Sequence, residues 1–363
     1  MIPSIRNPRV LQEYADNARE HDYDTSRLTF LVLTEDFVDK AEFESVLRRE
    51  GLEGAVMNQQ DRERLLRDLN RSEYVTIFPR RSHAETSFGI FYLFYRRKEF
   101  GTGFLIDDDT RPIKSLDFFG THQNNLEFNG NLLELRSDKQ WVNVLHYRYP
   151  IHRLYPRGYP YSAMHEKTLR NKADVSKVVL SQGLWTNVPD LDSVRILMDG
   201  DLNGQSKTRL SESDYGEGFT VAHRNYLTIC SMNLAFRSEI APAFYQYKMD
   251  DNQWGIGRFD DIWSGVVAKR VCDTLGYSIV TGNPLCQHDK APRSTFKDLR
   301  SEVPGLEANE DFYKVVDQTE TREGDVFEAT RAIARGLLSS KHEFLRECGT
   351  DLSSWTDLLE SVA

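Results

Sequence analysis

The amino-acid sequence predicts an α/β fold with a mainly parallel central sheet. In the first half of the chain, short apolar runs alternate with stretches whose apolar residues recur at helical spacing. Such alternation is typical of parallel sheets, because helices packed on the sheet faces connect successive strands. Towards the end of the chain the pattern is helix-like and charged, without a clear strand. We therefore expect an α/β domain over residues 1–295 and a helical C-terminal appendage over residues 296–363.

Each element of this prediction follows from a local pattern. The apolar runs LTFLVL (28–33) and GFLI (103–106) are typical of buried strands. The stretch KAEFESVLRREG (40–51) has an apolar helical face and ends on a glycine, which commonly stops a helix. The same helical spacing predicts a helix over 258–275, and a strand follows over 277–281. Further helices are predicted at 61–70 and 88–95, and a loop at 282–292.

The composition argues against several classes of protein. The formal net charge is −10, whereas nucleic-acid binding usually requires a basic surface. The longest apolar stretch, FGIFYLFY (88–95), is too short to span a bilayer, and the first residues lack the apolar core of a secretory signal. The four cysteines show no CxxC spacing, which argues against a disulfide framework or a structural zinc site. We therefore expect a cytoplasmic protein with no nucleic-acid partner and no membrane span.

Three consecutive carboxylates, Asp107, Asp108 and Asp109, follow the strand-like run at 103–106. Two carboxylates about 4 Å apart repel by about 4 kcal/mol near a protein surface, so this cluster needs compensation. Mg²⁺ or Mn²⁺ would supply it, because both ions bind carboxylate and phosphate oxygens at the same time. The carboxyl ends of parallel strands are also where α/β proteins bind ligands. A solvated acidic turn explains the same residues without a metal.

Two other segments carry residues suited to chemistry. Asp260 and Asp261 stand at the start of the predicted helix 258–275. There they stabilise the helix dipole, act as a base, or face a developing cationic sugar carbon. His288 follows a strand-like run, and a neutral imidazole commonly complements carboxylates around ions such as Mn²⁺. Lys290 is suited to contact a phosphate, and an ordinary surface lysine is the alternative.

Seven sequence blocks stand in a recognisable order along the chain. They are IPSIRN (2–7), FLIDDD (104–109), RGYPYS (157–162), GLWTNVPDLD (183–192), CSMNLAF (230–236), GIGRFDDIW (255–263) and TGNPLCQHDKA (281–291). In this order they resemble the reversibly glycosylated polypeptides, also called UDP-arabinopyranose mutases, of glycosyltransferase family 75. Any one block alone is a weak signal, whereas the collinear set is specific.

The resemblance implies a nucleotide-sugar-binding fold of the GT-A type, with bound Mn²⁺ or Mg²⁺ and without a flavin. It implies two linked activities: interconversion of the pyranose and furanose forms of a nucleotide-linked sugar, and reversible transfer of the sugar to an arginine of the protein itself. In the family that arginine lies in the RGYP motif, which makes it Arg157 here. Asp107, Asp109 and His288 match the expected metal ligands.

The resemblance also assigns catalytic and substrate-binding roles. Arg157 is expected to hold the sugar while its ring reorganises, and Asp260 and Asp261 to stabilise the cationic carbon or orient sugar hydroxyls. Guanidinium is a poor nucleophile because its pKa is above about 12, so a neighbouring carboxylate would have to help deprotonate it. A diphosphate clamp that is never modified is the alternative for Arg157. Substrate contacts are expected from Arg6, Asn7, Asp108, Arg153, Trp185, Asn187, Asn233, Arg258 and Lys290, each of which a cap, a core position or a surface charge would also explain.

Two stretches depart from the plant members of the family. Residues 34–37 read TEDF where plant members have QDGD, in a region that normally touches the base, and residues 80–89 also differ. The substrate is therefore expected to be a UDP- or GDP-linked sugar, either UDP-arabinopyranose-like or GDP-fucose-like. Two other functions stay open: transfer of the sugar to a separate acceptor, and nucleotide-sugar binding without catalysis in a larger complex. The sequence also leaves the oligomeric state open, and a homo-oligomer is compatible with it.

Overall fold

The computed structural model contains a small parallel sheet, a larger mixed sheet and a group of helices towards the end of the chain. No helix in the described part of the chain has both the length and the apolar character needed to cross a membrane. Asn7, which was expected to contact substrate, lies outside the described residues. The structure describes residues 1–6, 8–78, 80–211, 218–249, 252–321 and 324–363.

The small sheet is parallel because a helix connects each pair of successive strands. β1 (Ile2–Pro3), β2 (Thr29–Leu33) and β3 (Glu53–Met57) pair in that order. α1 (Arg9–Glu20) and α2 (Lys40–Arg49) form the two crossovers. These helices and the sheet enclose their own hydrophobic cluster, and β2 and α2 lie where the sequence predicted them.

The larger sheet has eight strands in the described part of the chain. They are β4 (Thr102–Ile106), β5 (Thr110–Pro112), β6 (Gly130–Ser137), β7 (Thr168–Val175), β8 (Val178–Asn187), β9 (Phe219–Val221), β10 (Asn233–Arg237) and β11 (Ser278–His288). The strand order is β4–β10–β8–β11–β9–β6–β7, and β5 pairs with β11. β8 runs parallel to β11, and β6 to β9, while the other pairs are antiparallel.

The predicted α/β class is confirmed, although parallel pairing dominates only the small sheet. β10 lies between β4 and β8 and runs antiparallel to both. The middle of the chain, which supplies most strands of the larger sheet, is rich in Tyr, Asn, Gly and Pro, so these strands show little periodicity. The loop predicted at 282–292 is wrong in its first part, because β11 continues to His288. Shifts of register against β8 around Pro284 accommodate residues that read as a turn in the sequence.

The helices cover the sheets and continue to the end of the chain. α8 begins at Asp260, so both acidic residues of the pair occupy its first turn as predicted, and it ends where Gly276 adopts a φ of 67°. α9 (Thr295–Gln318) is the first of the helices that follow β11. The remaining helices are α3 (Gln59–Asp68), α4 (Thr86–Tyr95), α5 (Phe118–Leu126), α6 (Val144–Arg148), α7 (Ser193–Met198), α8 (Asp260–Leu275), α9 (Thr295–Gln318), α10 (Val326–Leu338) and α11 (Glu343–Glu360).

The last three helices share the main hydrophobic core with the larger sheet. Phe312 of α9 stacks on Trp263 of α8, with ring centroids 4.3 Å apart. Trp355 of α11 packs edge-on against Phe78 at 6.2 Å, and its indole nitrogen donates to the carbonyl of Pro242. The predicted C-terminal helices are therefore present, and their apolar side chains pack against the rest of the molecule.

Candidate active site

A charged cavity of about 430 Å³ lies where the ends of several elements meet. Residues that follow β1 and β4, residues at the start of α8 and residues at the end of β11 all line it. The cavity brings together most of the predicted site residues. It adds three ionisable residues that the sequence did not single out, His83, Asp190 and Arg293. Its predicted members are Arg6, Asp107, Asp108, Asp109, Arg157, Arg258, Asp260, Asp261, His288 and Lys290.

The repulsion within the aspartate cluster is partly offset from the loop after β1. Ser4 Oγ donates to Asp108 Oδ2 over 2.8 Å. The guanidinium of Arg6 lies 3.2 Å from Asp108 Oδ1 and 3.5 Å from Asp109 Oδ2. Burial nevertheless raises the pKa of Asp108 to about 6, against the effect of Arg6 and Ser4. Asp108 is therefore bonded to the loop after β1, whereas Asp107 contacts His83 and Asp109 contacts both Arg6 and His288.

Asp109 faces His288. Oδ1 of Asp109 lies 3.8 Å from Nε2 of His288, whose Nδ1 is 2.8 Å from the carbonyl oxygen of Val188. That carbonyl fixes the orientation of the imidazole ring, because only a protonated Nδ1 can bond to it. Burial alone would raise the pKa of Asp109, but His288, Arg6 and Lys290 together lower it to about 2. Asp109, which lies between β4 and β5, therefore stays ionised beside the end of β11.

His83 connects the two acidic clusters. Its Nε2 lies 3.2 Å from Asp107 Oδ1, and its Nδ1 lies 3.0 Å from Asp260 Oδ2. Burial opposes the charged imidazolium, but the two carboxylates raise the pKa of His83 well above its usual value. A protonated ring can donate to both partners. His83 thus bridges the end of β4 and the start of α8.

Two contacts with the small-sheet part of the molecule fix the segment that carries His83. Glu85 forms a buried ion pair with Arg62 of α3, with a separation of 2.6 Å. The backbone N–H of Arg81 donates to Glu35 Oε1, which follows β2. This segment lies within the stretch that departs from plant sequences. It has no periodic pattern that would have identified the histidine.

Arg157 lies between two buried carboxylates. Its Nε and Nη2 are 3.0 and 2.9 Å from Asp190 Oδ2, and its Nη1 is 3.2 Å from Asp261 Oδ1. Nη1 also donates to the carbonyl oxygen of Arg258. Burial would lower the pKa of Arg157, but the neighbouring carboxylates raise it well above its ordinary value. Arg157 is thus held as a cation.

Lys290 is a buried cation of the cavity that has no ion-pair or hydrogen-bond partner for its side chain in the described part of the chain. It is 6% exposed, and its Nζ has no hydrogen-bond partner among the described residues. Burial lowers its pKa, because an ammonium group is poorly solvated in this position. By contrast, Arg258 pairs with Glu302 over 2.5 Å, and Arg293 pairs with Asp298 over 2.7 Å. A buried amine without an acceptor is suited to receive a ligand anion.

Comparison with known proteins identifies the family. A family model described as "Reversibly glycosylated polypeptide" matches residues 29–363. The chain belongs to this family. Among curated relatives, "Probable UDP-arabinopyranose mutase 4" of Arabidopsis thaliana is 34% identical over 210 residues, which cover 57% of this chain and 52% of that protein. "UDP-arabinopyranose mutase 1" of Oryza sativa subsp. japonica is 36% identical over 210 residues, with coverage of 57% and 52%.

A third relative gives the same result. "Probable UDP-arabinopyranose mutase 1" of Pisum sativum is 35% identical over 204 residues, covering 56% of this chain and 50% of that protein. The chain spans about half the length of the curated relatives it matches. The resemblance recognised from the seven blocks is therefore confirmed at the level of the family.

Four residues that the reversibly glycosylated polypeptide pattern suggested for substrate contacts lie outside the cavity lining. Arg153 is exposed on the loop before Arg157. Trp185 is 2% exposed within the core. Asn233 is fully buried, where it donates to the carbonyl of Leu184 and contacts His122. Asn187 donates to the carbonyl of His288 and to Asp289 Oδ1, so it stabilises the end of β11 without lining the cavity.

The donor set in the cavity fits a hard divalent cation in part. Among the described residues, no group of three or more His, Cys, Asp or Glu side chains is arranged to hold a metal ion. Asp109 and His288 do offer an ionised carboxylate and an imidazole nitrogen of fixed orientation. Asp107, the third predicted ligand, is 3.2 Å from His83 instead. Two protein ligands leave room for phosphate oxygens and water, as is usual for Mg²⁺.

Proposed function

We propose that this protein interconverts the pyranose and furanose forms of a nucleoside-diphosphate sugar, with a divalent metal and without a flavin, and transfers the sugar reversibly to Arg157. The names of the relatives support the mutase activity. The cavity supports it because it offers both carboxylates and cations, which a sugar diphosphate and its metal require. Arg157 supports the transfer because it lies in the RGYP block and lines this cavity.

The observation that carries the proposal is the buried, unpaired ammonium of Lys290 close to the Asp109–His288 pair. Removing an ammonium group from water without a partner is costly, so such a group normally has a function. A diphosphate would accept from Lys290 on one side. Asp109 and His288 would hold a Mn²⁺ or Mg²⁺ ion that neutralises the same diphosphate as it leaves.

The remaining groups are suited to the sugar. Cleavage of the bond between C1 and the diphosphate develops positive charge on C1, which a nearby carboxylate stabilises. Asp260 and Asp261 are both buried at the start of α8 and line the cavity. His83 holds Asp260 in place through its Nδ1. Arg157 would hold the glycosyl group while the ring opens and a different hydroxyl reaches C1.

The nucleotide is proposed to be UDP, as the names of the relatives suggest, with GDP as the alternative. The region expected at the base contains the TEDF stretch, in which Glu35 is buried and bonded to the backbone of Arg81. A buried carboxylate near the base would favour N–H groups of the base, and both uracil and guanine have them. An arabinopyranose and a fucose-like hexose both remain candidate sugars.

Incubation with UDP- and GDP-linked sugars in the presence of Mn²⁺ tests the proposal. Chromatography should detect a furanose product without any acceptor, and intact-mass measurement should detect one added glycosyl group. Sugar that appears only on an added acceptor would favour a conventional glycosyltransferase. Binding of the nucleotide sugar without either product would favour a scaffold. Heat-treated protein and reactions without metal are the controls.

A further inference from the structure

The contacts of Arg157 raise a question that the proposed function leaves open: which group removes its proton. A guanidinium keeps its proton to a pKa above about 12, so an arginine attacks carbon only if an adjacent base accepts that proton during the reaction. Among the described residues, two carboxylates touch Arg157, those of Asp190 and Asp261, and both are buried. Only Asp261 was singled out from the sequence. Asp190 was not.

The two carboxylates contact different edges of the guanidinium. Asp190 Oδ2 lies 3.0 Å from Nε and 2.9 Å from Nη2, and the carbonyl oxygen of Asp190 accepts the backbone N–H of Arg157 over 2.9 Å. Asp261 Oδ1 lies 3.2 Å from Nη1, while its Oδ2 is a more distant 3.4 Å from Nη2. Asp190 therefore bonds both to the main chain of Arg157 and to the Nε and Nη2 side of its guanidinium. Asp261 is the carboxylate that faces Nη1.

The environments of the two carboxylates also differ. Burial raises the pKa of both, but Arg157, Lys290 and His288 outweigh it at Asp190 and hold the pKa of Asp190 well below its usual range. At Asp261 burial prevails over Arg157, and the charges of Asp260 and Asp190 add to it, so the pKa of Asp261 is raised. Two carboxylates whose environments push them in opposite directions commonly divide the roles of fixed charge and proton carrier.

From this geometry we infer that Asp261 is the base that takes the proton from Nη1 of Arg157, and that Asp190 is a positioning residue that holds the guanidinium while Nη1 reacts. The inference rests on the proposed transfer of sugar to Arg157. It names the base and the anchor of that step.

A proton passes from Nη1 to Oδ1 of Asp261, which leaves a neutral guanidine. Nη1 forms a bond to C1 of the sugar as the bond between C1 and the diphosphate oxygen breaks. The nucleoside diphosphate leaves with that electron pair, and the glycosylated guanidinium carries one positive charge. In the reverse direction Asp261 returns the proton as the diphosphate oxygen attacks C1.

Several groups set the charge of Asp261, and all of them affect its pH dependence. Arg157 faces it from the RGYP loop, Asp260 from its own helix and Asp190 from the segment after β8, while His83 acts from beyond Asp260. The thiol of Cys230 also lies close by, and Asp261 raises the pKa of that thiol. Asp260 and Asp190 raise the pKa of Asp261, whereas Arg157 and His83 lower it. Labelling should therefore increase with pH as Asp261 ionises.

Rapid-mix measurement of covalent labelling tests the inference on the full-length chain with Mn²⁺ and the nucleotide sugar that labels the wild type. Asp261→Asn should slow labelling by roughly 10²–10⁴-fold, the usual contribution of a general base. Its affinity for the nucleoside diphosphate should stay unchanged. The ratio of wild-type to Asp261→Asn rates should rise with pH. Asp261→Glu should restore part of the rate, which a folding defect would not allow.

Asp190→Asn should behave differently because it removes an anchor and not the base. Labelling should become slower and keep its rise with pH, displaced to lower pH since one negative charge near Asp261 has gone. Asp192→Asn is the matched control, because Asp192 is equally buried in the same segment but pairs with Arg195 outside the cavity. It should label at the wild-type rate.

Four results would overturn the inference. If Asp261→Asn labels at the wild-type rate, Asp261 is not the base. If only Asp190→Asn loses the rise of labelling with pH, Asp190 is the base and Asp261 is the positioning residue. A wild-type chain that isomerises sugar without ever being labelled would leave the mutase activity standing and refute this step. If the wild type neither isomerises nor labels with any nucleotide sugar, the proposed function fails together with the inference.

Discussion

Asp109 and His288 face each other across the cavity, with 3.8 Å between Oδ1 and Nε2. Their main chains are also connected, because the N–H of Asp289 donates to the carbonyl of Asp109 over 2.8 Å. The two loops that carry these side chains are therefore fixed to each other. A cation placed between the side chains would meet ligands that need little rearrangement, which lowers the entropic cost of binding it.

We expect Asp109→Ala to lose turnover and most of its affinity for Mn²⁺ in the presence of nucleoside diphosphate. Electron paramagnetic resonance of free Mn²⁺ measures the affinity independently of activity, and chelation should stop the wild-type enzyme until Mn²⁺ is restored. Asp289→Asn is the control, because Asp289 is adjacent to His288 but does not line the cavity. Wild-type activity in Asp109→Ala would refute the assignment of this residue as a metal ligand.

Lys290→Met should weaken binding of the nucleoside diphosphate by about 10–150-fold. A hydrogen bond to a charged group contributes about 1.5–3 kcal/mol, and each 1.4 kcal/mol changes affinity about tenfold. The unliganded variant should be more stable than the wild type, since a buried charge without a partner is removed. Titration calorimetry and urea unfolding measure the two effects.

The control for Lys290 is Lys297, an exposed residue in the first turn of α9 that does not line the cavity. Lys297→Met should leave both quantities as they are. An unchanged affinity in Lys290→Met would show that the diphosphate does not contact this amine.

Gly158→Ala should destabilise the protein and disturb Arg157. Gly158 has a φ of +81°, and a Cβ there would lie 2.2 Å from Cγ2 of Ile262, the residue after Asp261. Left-handed backbone costs a non-glycine residue about 1–2 kcal/mol, and overpacking adds about 1–3 kcal/mol. Gly276→Ala is a matched control, because its φ is +67° but no atom lies within 4 Å of the added Cβ.

Urea unfolding of the two glycine variants separates strain from steric overlap. Gly276→Ala should lose only the backbone contribution. Gly158→Ala should lose more, and it should also label more slowly. Equal losses in the two variants would mean that the close approach to Ile262 is relieved without cost.

Asp351→Asn should change how stability depends on pH. Burial raises the pKa of Asp351 to about 6, although Lys248 acts against it. A carboxyl group whose pKa is higher in the folded state stabilises the fold below its unfolded pKa of about 3.9, and this stabilisation is lost as the pH rises through about 6. Relative to the wild type, Asp351→Asn should therefore gain about 1–3 kcal/mol of unfolding free energy between pH 4 and pH 7.

Lys248→Met supplies the complementary measurement for Asp351. Lys248 Nζ is 2.9 Å from Asp351 Oδ1 and lowers the pKa of that carboxyl group. Without Lys248, the pKa of Asp351 should rise further, so the loss of stability with rising pH should occur at higher pH and be larger than in the wild type. A difference between Asp351→Asn and the wild type that does not vary with pH would contradict the raised pKa.

The start of α8 shows what the sequence could predict about the site. Helical spacing predicted this helix, and its acidic first turn placed Asp260 and Asp261 together. The same holds for the aspartates after β4, which the apolar run before them located at the end of a strand. In each case the prediction depends on a pattern that is local in the chain.

His83 and Asp190 could not be predicted in this way. Each owes its place in the cavity to partners far away in the sequence, Asp107 and Asp260 for the histidine and Arg157 for the aspartate. Their own surroundings are a short turn and an irregular segment, which have no periodicity. Asp190 did lie in a recognised block, but nothing in the block distinguished it from its neighbours.

The packing of Trp355 against Phe78 has a consequence for how the molecule is made. Phe78 precedes the segment that carries His83, whereas Trp355 is translated long afterwards. While a ribosome is still synthesising α11, Phe78 lacks this aromatic neighbour. Assembly of the cavity and its surroundings is then completed only after α11 has been synthesised, even though most of the side chains that line the cavity are available far earlier.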